Sequence, residues 1–143
     1  MYSKVQVVFD AAEPEKLAQF WGLALGYVPE PPPEGFASWE EFARDAGIPE
    51  EDWGEQTARI DPAGEGPRLY FQRVPEGKTA KNRVHLDIAA APRHVRGEER
   101  KRLVSEHVER LFEAGATLAW KTDDVRGSSV TLYDPEGNEF CVH

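Results

Sequence analysis

Asn82-Arg83-Val84-His85-Leu86-Asp87-Ile88 alternates with a period of two. Val84, Leu86 and Ile88 fall on one side, and Arg83, His85 and Asp87 on the other. That pattern predicts a strand with one face on an apolar core and a chemically equipped face opposite. Downstream, Val104, Val108, Leu111 and Phe112 recur at i, i+4, i+7 and i+8, which predicts a helix over Glu98–Ala114 with a stop at Gly115. His107 lies at the edge of that stripe, where packing explains it better than ligation. Ala116–Lys121, Ser128–Tyr133 and Glu139–His143 read as strands, the last two joined by the turn Asp134-Pro135-Glu136-Gly137-Asn138.

The same order precedes the central stretch. Lys4–Asp10 alternates as a strand. Glu13-Pro14-Glu15 opens a helix whose apolar stripe is Leu17, Phe20, Trp21, Ala24 and Leu25, with Gly26 as its stop. Tyr27–Glu30 reads as a short strand, and Pro31-Pro32-Pro33-Glu34-Gly35 interrupts regular structure. Ser38-Trp39-Glu40-Glu41 is a capping box that starts a short helix ending near Gly47. Gln56–Asp61 and Arg68–Val74 form a hairpin around Pro62–Pro67. The chain is thus a duplicated unit, strand-helix-three strands twice over. Copies of 65 to 75 residues are each marginal alone, so a shared core or edge-to-edge pairing is expected.

Composition narrows the function classes. Seventeen Lys plus Arg against 26 Asp plus Glu give a net charge of -9 over 143 residues, which argues against nucleic acid or an anionic membrane as partner. No apolar run approaches the ~20 residues that span a bilayer. Met1-Tyr2-Ser3-Lys4 runs into the first strand without the apolar region of a signal peptide. A single cysteine, Cys141, fits a reducing compartment. A cytoplasmic location is the expectation.

Several segments together resemble the vicinal oxygen chelate superfamily, the glyoxalase/bleomycin resistance protein/dioxygenase group, and within it the actinobacterial-type glyoxalase-like domains. They are Leu17–Trp21 with Leu25-Gly26-Tyr27, Pro67–Glu76, Lys81–Asp87, Gly115-Ala116-Thr117 and Asp134–Val142. The resemblance implies an α+β fold of two βαβββ modules, residues 1–77 and 78–143, whose curved mixed sheets form a cup. The segment 29–56 is an insert in the first module. It is either a lid or a patch packed on the sheet's edge.

In metal-using members of the superfamily, side chains from the first and last strands of each module converge on one ion. Carried over by position, those places hold Gln6, Gln72, His85 and Cys141, where the usual fourth ligand is a glutamate; Glu139 stands two residues earlier. Two neutral amides, one imidazole and a thiol are a poor set for a hard divalent ion, so the expectation is no metal cofactor. If a metal were bound, these four would hold it.

The expected function is binding of a small organic molecule in the cup, with Gln6, Tyr70, Gln72, His85, Cys141, Trp39 and Trp53 around it. One alternative is a metal-dependent lyase, isomerase or dioxygenase. Another is a metal-free acid/base enzyme using His85, with Glu139 or Cys141 as its partner. Each of these residues also has a structural explanation: His85 as a hydrogen-bonded buried histidine, Cys141 as a small hydrophobe. The expected partner is a small molecule, on a monomer or homodimer.

Overall fold

The computed structural model describes residues 3–125 and 127–143. Met1 and Tyr2, read above as the approach to the first strand, lie outside them. The fold is α+β, with two four-stranded mixed sheets and three helices. The chain divides into two compact units, one of residues 1–22 and 26–77 and the other of 23–25 and 78–143.

In the first unit, β1 (Gln6–Ala11) leads to α1 (Pro14–Leu25), then β2 (Val28–Pro29), α2 (Trp39–Asp45), a single 3-10 turn (Glu50–Asp52), β3 (Gln56–Ile60) and β4 (Arg68–Arg73). The strand order is β1-β4-β3-β2, with β1 and β4 parallel and β4-β3-β2 antiparallel. Alternation in β4 buries Leu69 and Phe71 on one face. Phe71 stacks on Phe9 with ring centres 5.0 Å apart, and Phe9 meets Trp21 of α1, also at 5.0 Å. Leu17, Phe20 and Trp21, the helical stripe expected from the sequence, are all buried. Pro14 occupies the first turn, where its missing N–H leaves no bond unmade, and Gly26 ends the helix at φ 71°, a left-handed conformation that suits glycine.

The second unit runs β5 (Asp87–Ile88), α3 (Gly97–Glu113), β6 (Thr117–Asp124), β7 (Gly127–Tyr133) and β8 (Glu139–Val142), in the order β5-β8-β7-β6. Its core joins Val104, Val108 and Leu111 of α3 to Leu132, Phe140 and Val142 of the sheet. His107 is half-buried beside this stripe, with Nδ1 3.0 Å from Arg110 Nη2. Burial and the neighbouring Arg110 charge push its imidazole below its ordinary pKa.

The central stretch corrects the sequence expectation. Only Asp87 and Ile88 form strand, and Val84 is 82% exposed. The ladder to β8 starts at the Leu86 carbonyl, which accepts from Cys141 N, and continues through His143 N to Ile88 O and Ala90 N to His143 O. Before Leu86 the backbone is diverted. Asn82 N donates to Glu139 Oε2 at 2.9 Å, and Asn82 Nδ2 donates to Asn138 Oδ1 at 3.1 Å. A side-chain carboxylate thus takes the place of the ladder, and residues 82–85 stand off the sheet.

Glu139 is the anchor of this arrangement. It is 7% exposed and also accepts from Lys78 Nζ at 3.1 Å. Burial alone would raise its pKa, but the bonds from backbone N–H groups and from Lys78 outweigh it and hold the carboxyl below the ordinary glutamate value. The stabilisation is therefore complete above the unfolded-state pKa and is lost as pH falls through the lower folded-state value. Glu139→Gln is expected to lower stability at neutral pH by about 1–3 kcal/mol. Urea titrations at a series of pH values should also show a shallower loss of stability on the acid side in this variant.

Candidate ligand-binding site

The first unit's sheet has one short edge. β2 is two residues long and pairs with Arg59 and Ile60, and Glu30 N just beyond it donates to Ala58 O, which leaves Gln56 and Thr57 at an open edge. Open edges attract foreign strands and are commonly covered. Here the cover is the connection between β2 and β3, and the space beneath it is a cavity of about 420 Å³. Residues of the first unit alone line it.

Local sequence shapes the cover. Ser38 Oγ accepts from Glu41 N at 3.1 Å, while Glu41 Oε2 accepts from Ala37 N at 2.8 Å, so the capping box starts α2 as expected, its return bond landing one residue early. A helix started at Trp39 sets Trp39 and Phe42 three residues apart on one side, ring centres 5.7 Å apart and edge to face. Both line the cavity. Trp39 Nε1 donates to Glu30 O at 2.8 Å, and Trp53 Nε1 donates to Ile48 O at 3.0 Å, which orients the two indoles. Arg44 lies over the Trp53 ring, 5.0 Å from its centre.

The floor is the sheet face opposite the core. The register sets Ala58 across from Tyr70 and Gln56 across from Gln72, which places Gln56, Ala58, Arg68 and Tyr70 on that face. Arg68 organises it. Its Nε and Nη2 hold both oxygens of Glu30 at 2.9 and 2.6 Å, and its Nη1 donates to Gln6 Oε1 at 2.7 Å. Its guanidinium also lies 5.2 Å over the Tyr70 ring. The Glu30 hydrogen bonds and charge hold the Arg68 guanidinium above its ordinary pKa. The Tyr70 hydroxyl is bonded to Gln56 Oε1.

At the open edge, Glu15 pairs with the buried Arg59 at 2.5 Å. Burial would raise the Glu15 carboxyl, but hydrogen bonds from Arg59 and Thr57 overcome that and hold it below its ordinary value. Two further acids line the cavity, Glu40 and Asp52. Both are exposed, and neither side chain has an ion-pair or hydrogen-bond partner among the described residues.

Trp39, Trp53 and Tyr70 line the cavity. Gln6 and Gln72 do not meet each other: the parallel register puts Gln6 opposite Arg68 and Gln72 opposite Asp10. Four residues of strand, about 13 Å, separate them along the sheet. Gln6 is taken by Arg68, and Gln72 Nε2 donates to Asp10 Oδ1 at 2.8 Å.

His85, Glu139 and Cys141 belong to the second unit. His85 is exposed, Glu139 is committed to Lys78 and Asn82, and Cys141 Sγ lies 3.2 Å from Thr131 Oγ1. Register pairs run across that sheet face as Trp120, Thr131, Cys141 and Asp87. Strict alternation puts Trp120 on the face of Leu118, but the irregularity between those two residues shifts it to the face of Cys141.

The donor set does not fit a divalent ion. No group of three or more His, Cys, Asp or Glu side chains is placed to hold a metal among the described residues. The amides expected to contribute are separated and engaged, and each oxygen of the Glu139 carboxylate already accepts a bond, Oε1 from Lys78 and Oε2 from Asn82 N.

Three relatives of known structure share the fold over almost the whole chain. A fosfomycin resistance protein variant, FosX from Listeria monocytogenes, solved with Mn(II) and 1S,2S-dihydroxypropylphosphonic acid, is 15% identical with a TM-score of 0.61, covering 100% of this chain and 90% of its own. A possible glyoxalase from Bacillus cereus is 13% identical with a TM-score of 0.60, covering 99% and 98%. A hypothetical protein from S. aureus is 16% identical with a TM-score of 0.59, covering 99% and 96%. Among curated proteins no significant sequence match was found. The glyoxalase-like domain family matches residues 6–143. That match spans all eight strands and all three helices, and this chain belongs to the glyoxalase-like domain family, within the vicinal oxygen chelate superfamily.

Proposed function

We propose that this protein binds a small organic molecule in the cavity between the β2–β3 connection and the sheet, without a divalent metal. The carrying observation is the cavity itself. Its volume of about 420 Å³ is in the range of small-molecule sites. Trp39, Phe42, Trp53 and Tyr70 supply apolar wall, and a few oriented polar groups, chiefly Gln56 and Arg68, interrupt it. That mixture suits a flat, largely apolar ligand with one or two polar atoms.

Binding in this reading needs no proton transfer or Lewis acid. Desolvating the ligand's rings against the indoles supplies the affinity, and the Gln56 amide supplies orientation. FosX is the reason to test the metal separately, because that relative was solved with Mn(II). In this chain Gln6, Gln72 and Cys141, three of the four expected ligand positions, have hydrogen-bond partners within the protein, and the fourth, His85, is exposed.

A neutral two-ring probe, 2-naphthylmethanol, is expected to raise the melting temperature in a saturable way, because it binds the folded state alone. Trp53→Leu should weaken its affinity about tenfold by calorimetry, the scale of one large aromatic contact. Absence of any saturable shift with the wild-type chain would sink the reading. For the metal, protein purified without chelator is expected to carry far less than one Mn, Zn, Fe, Cu or Mg per chain by elemental analysis. A stoichiometric ion that survives dialysis and is lost in His85→Ala would overturn the metal-free assignment.

A further inference from the structure

We infer that the ligand class of this cavity is the amphipathic organic cation, an aromatic or aliphatic ring system carrying one ammonium or amidinium group. The inference rests on the binding reading above and adds the sign of the charge.

Its basis is an inventory of the ionisable groups on the cavity wall. There are four carboxylates, Glu15, Glu30, Glu40 and Asp52, and one cation, Arg68. Two of the acids are internally neutralised, Glu15 by Arg59 at 2.5 Å and Glu30 by both arms of Arg68 at 2.6 and 2.9 Å. The same pairing spends Arg68, whose three nitrogens all face acceptors of the protein. A ligand carboxylate or phosphate would have to displace Glu30 to reach it. Glu40 and Asp52 remain without counter-charges among the described residues.

The wall therefore offers two free negative charges and no free positive one. The same wall carries Trp39 and Phe42, whose ring faces attract cations through the aromatic quadrupole, and Trp53, one face of which Arg44 already covers. The ring preference is already exercised in the molecule, by Arg44 over Trp53 and by Arg68 over Tyr70. The chain's net charge of -9 adds a field that draws cations toward it and repels anions. Aromatic walls take the ring system, and the two carboxylates take the charged group.

Three probes of one size and different charge test this: 2-naphthylmethanol, 2-naphthylmethylammonium and 2-naphthoate, titrated calorimetrically into the full chain at neutral pH. The ammonium is expected to bind about five- to tenfold more tightly than the alcohol, and the carboxylate more weakly than either. The ammonium's advantage should shrink in high salt, since both carboxylates are exposed. The double variant Glu40→Gln/Asp52→Asn should remove most of that advantage, read as the ratio of ammonium to alcohol affinity measured in the same variant. Its melting temperature without ligand reports that the chain still folds.

Equal affinity for alcohol and ammonium, or tightest binding of the carboxylate, overturns the charge assignment and leaves the cavity reading standing. An ammonium preference untouched by the double variant overturns the roles of Glu40 and Asp52. Failure of all three probes to bind overturns both the charge assignment and the cavity reading.

Discussion

The bidentate pairing of Arg68 with Glu30 is the interaction on which the first unit's site depends. Arg68 belongs to the interior strand β4, and Glu30 begins the long connection that leaves β2. Closing both carboxylate oxygens on the Nε and Nη2 fork fixes direction as well as distance. The remaining arm of Arg68 takes Gln6 of β1, and its plane covers Tyr70. One side chain thereby ties the edge strand, the interior strand and the start of the cover together. Trp39 then docks on the carbonyl of the residue so held, Glu30.

That constraint also decides the chemistry available. Hydrogen-bond capacity spent on architecture is not available to a substrate. Gln6, Gln72, Glu139 and Arg68 each carry a chemically capable group, and each is engaged within its own unit. The scaffold that elsewhere accompanies metal chemistry here holds polar groups satisfied by one another. What remains open in the first unit's cavity is apolar and aromatic wall with two acids that have no partner among the described residues. Such a wall is what the proposed binding reading rests on, with desolvation as its source of affinity and charge as its source of selectivity.

The second unit shows how a short-range pattern and a long-range contact compete. Val84, Leu86 and Ile88 alternate as a strand should, yet the backbone turns away before Leu86 because a buried glutamate 57 residues later accepts from Asn82 N. A hydrogen bond to a buried carboxylate outweighs the modest preference of one valine for a sheet. Trp120 is a second case. Its face follows from an irregularity in pairing with β7, and no alternation rule contains that information.

Much was legible in the amino-acid order because it is governed by neighbours. Pro14 and Gly26 bound α1, Ser38 starts α2, and Asp134 ties its turn by accepting from Asn138 and Glu136 backbone N–H groups. The repeated strand-helix-three strands order follows from such signals, as do the buried faces of α1 and β4, while the α+β class and the family were carried by the resemblance of whole segments. The partners of charged side chains were not legible. Glu30 and Arg68 are 38 residues apart, Glu15 and Arg59 are 44, and Lys78 and Glu139 are 61. Nothing in a sequence says which acid a given arginine will meet, because that follows from strand register and from where each connection crosses the sheet. Register likewise separated Gln6 from Gln72. Local sequence determined most of the elements and their apolar faces; tertiary pairing decided where the strand at Asp87–Ile88 begins and which polar groups were consumed by one another.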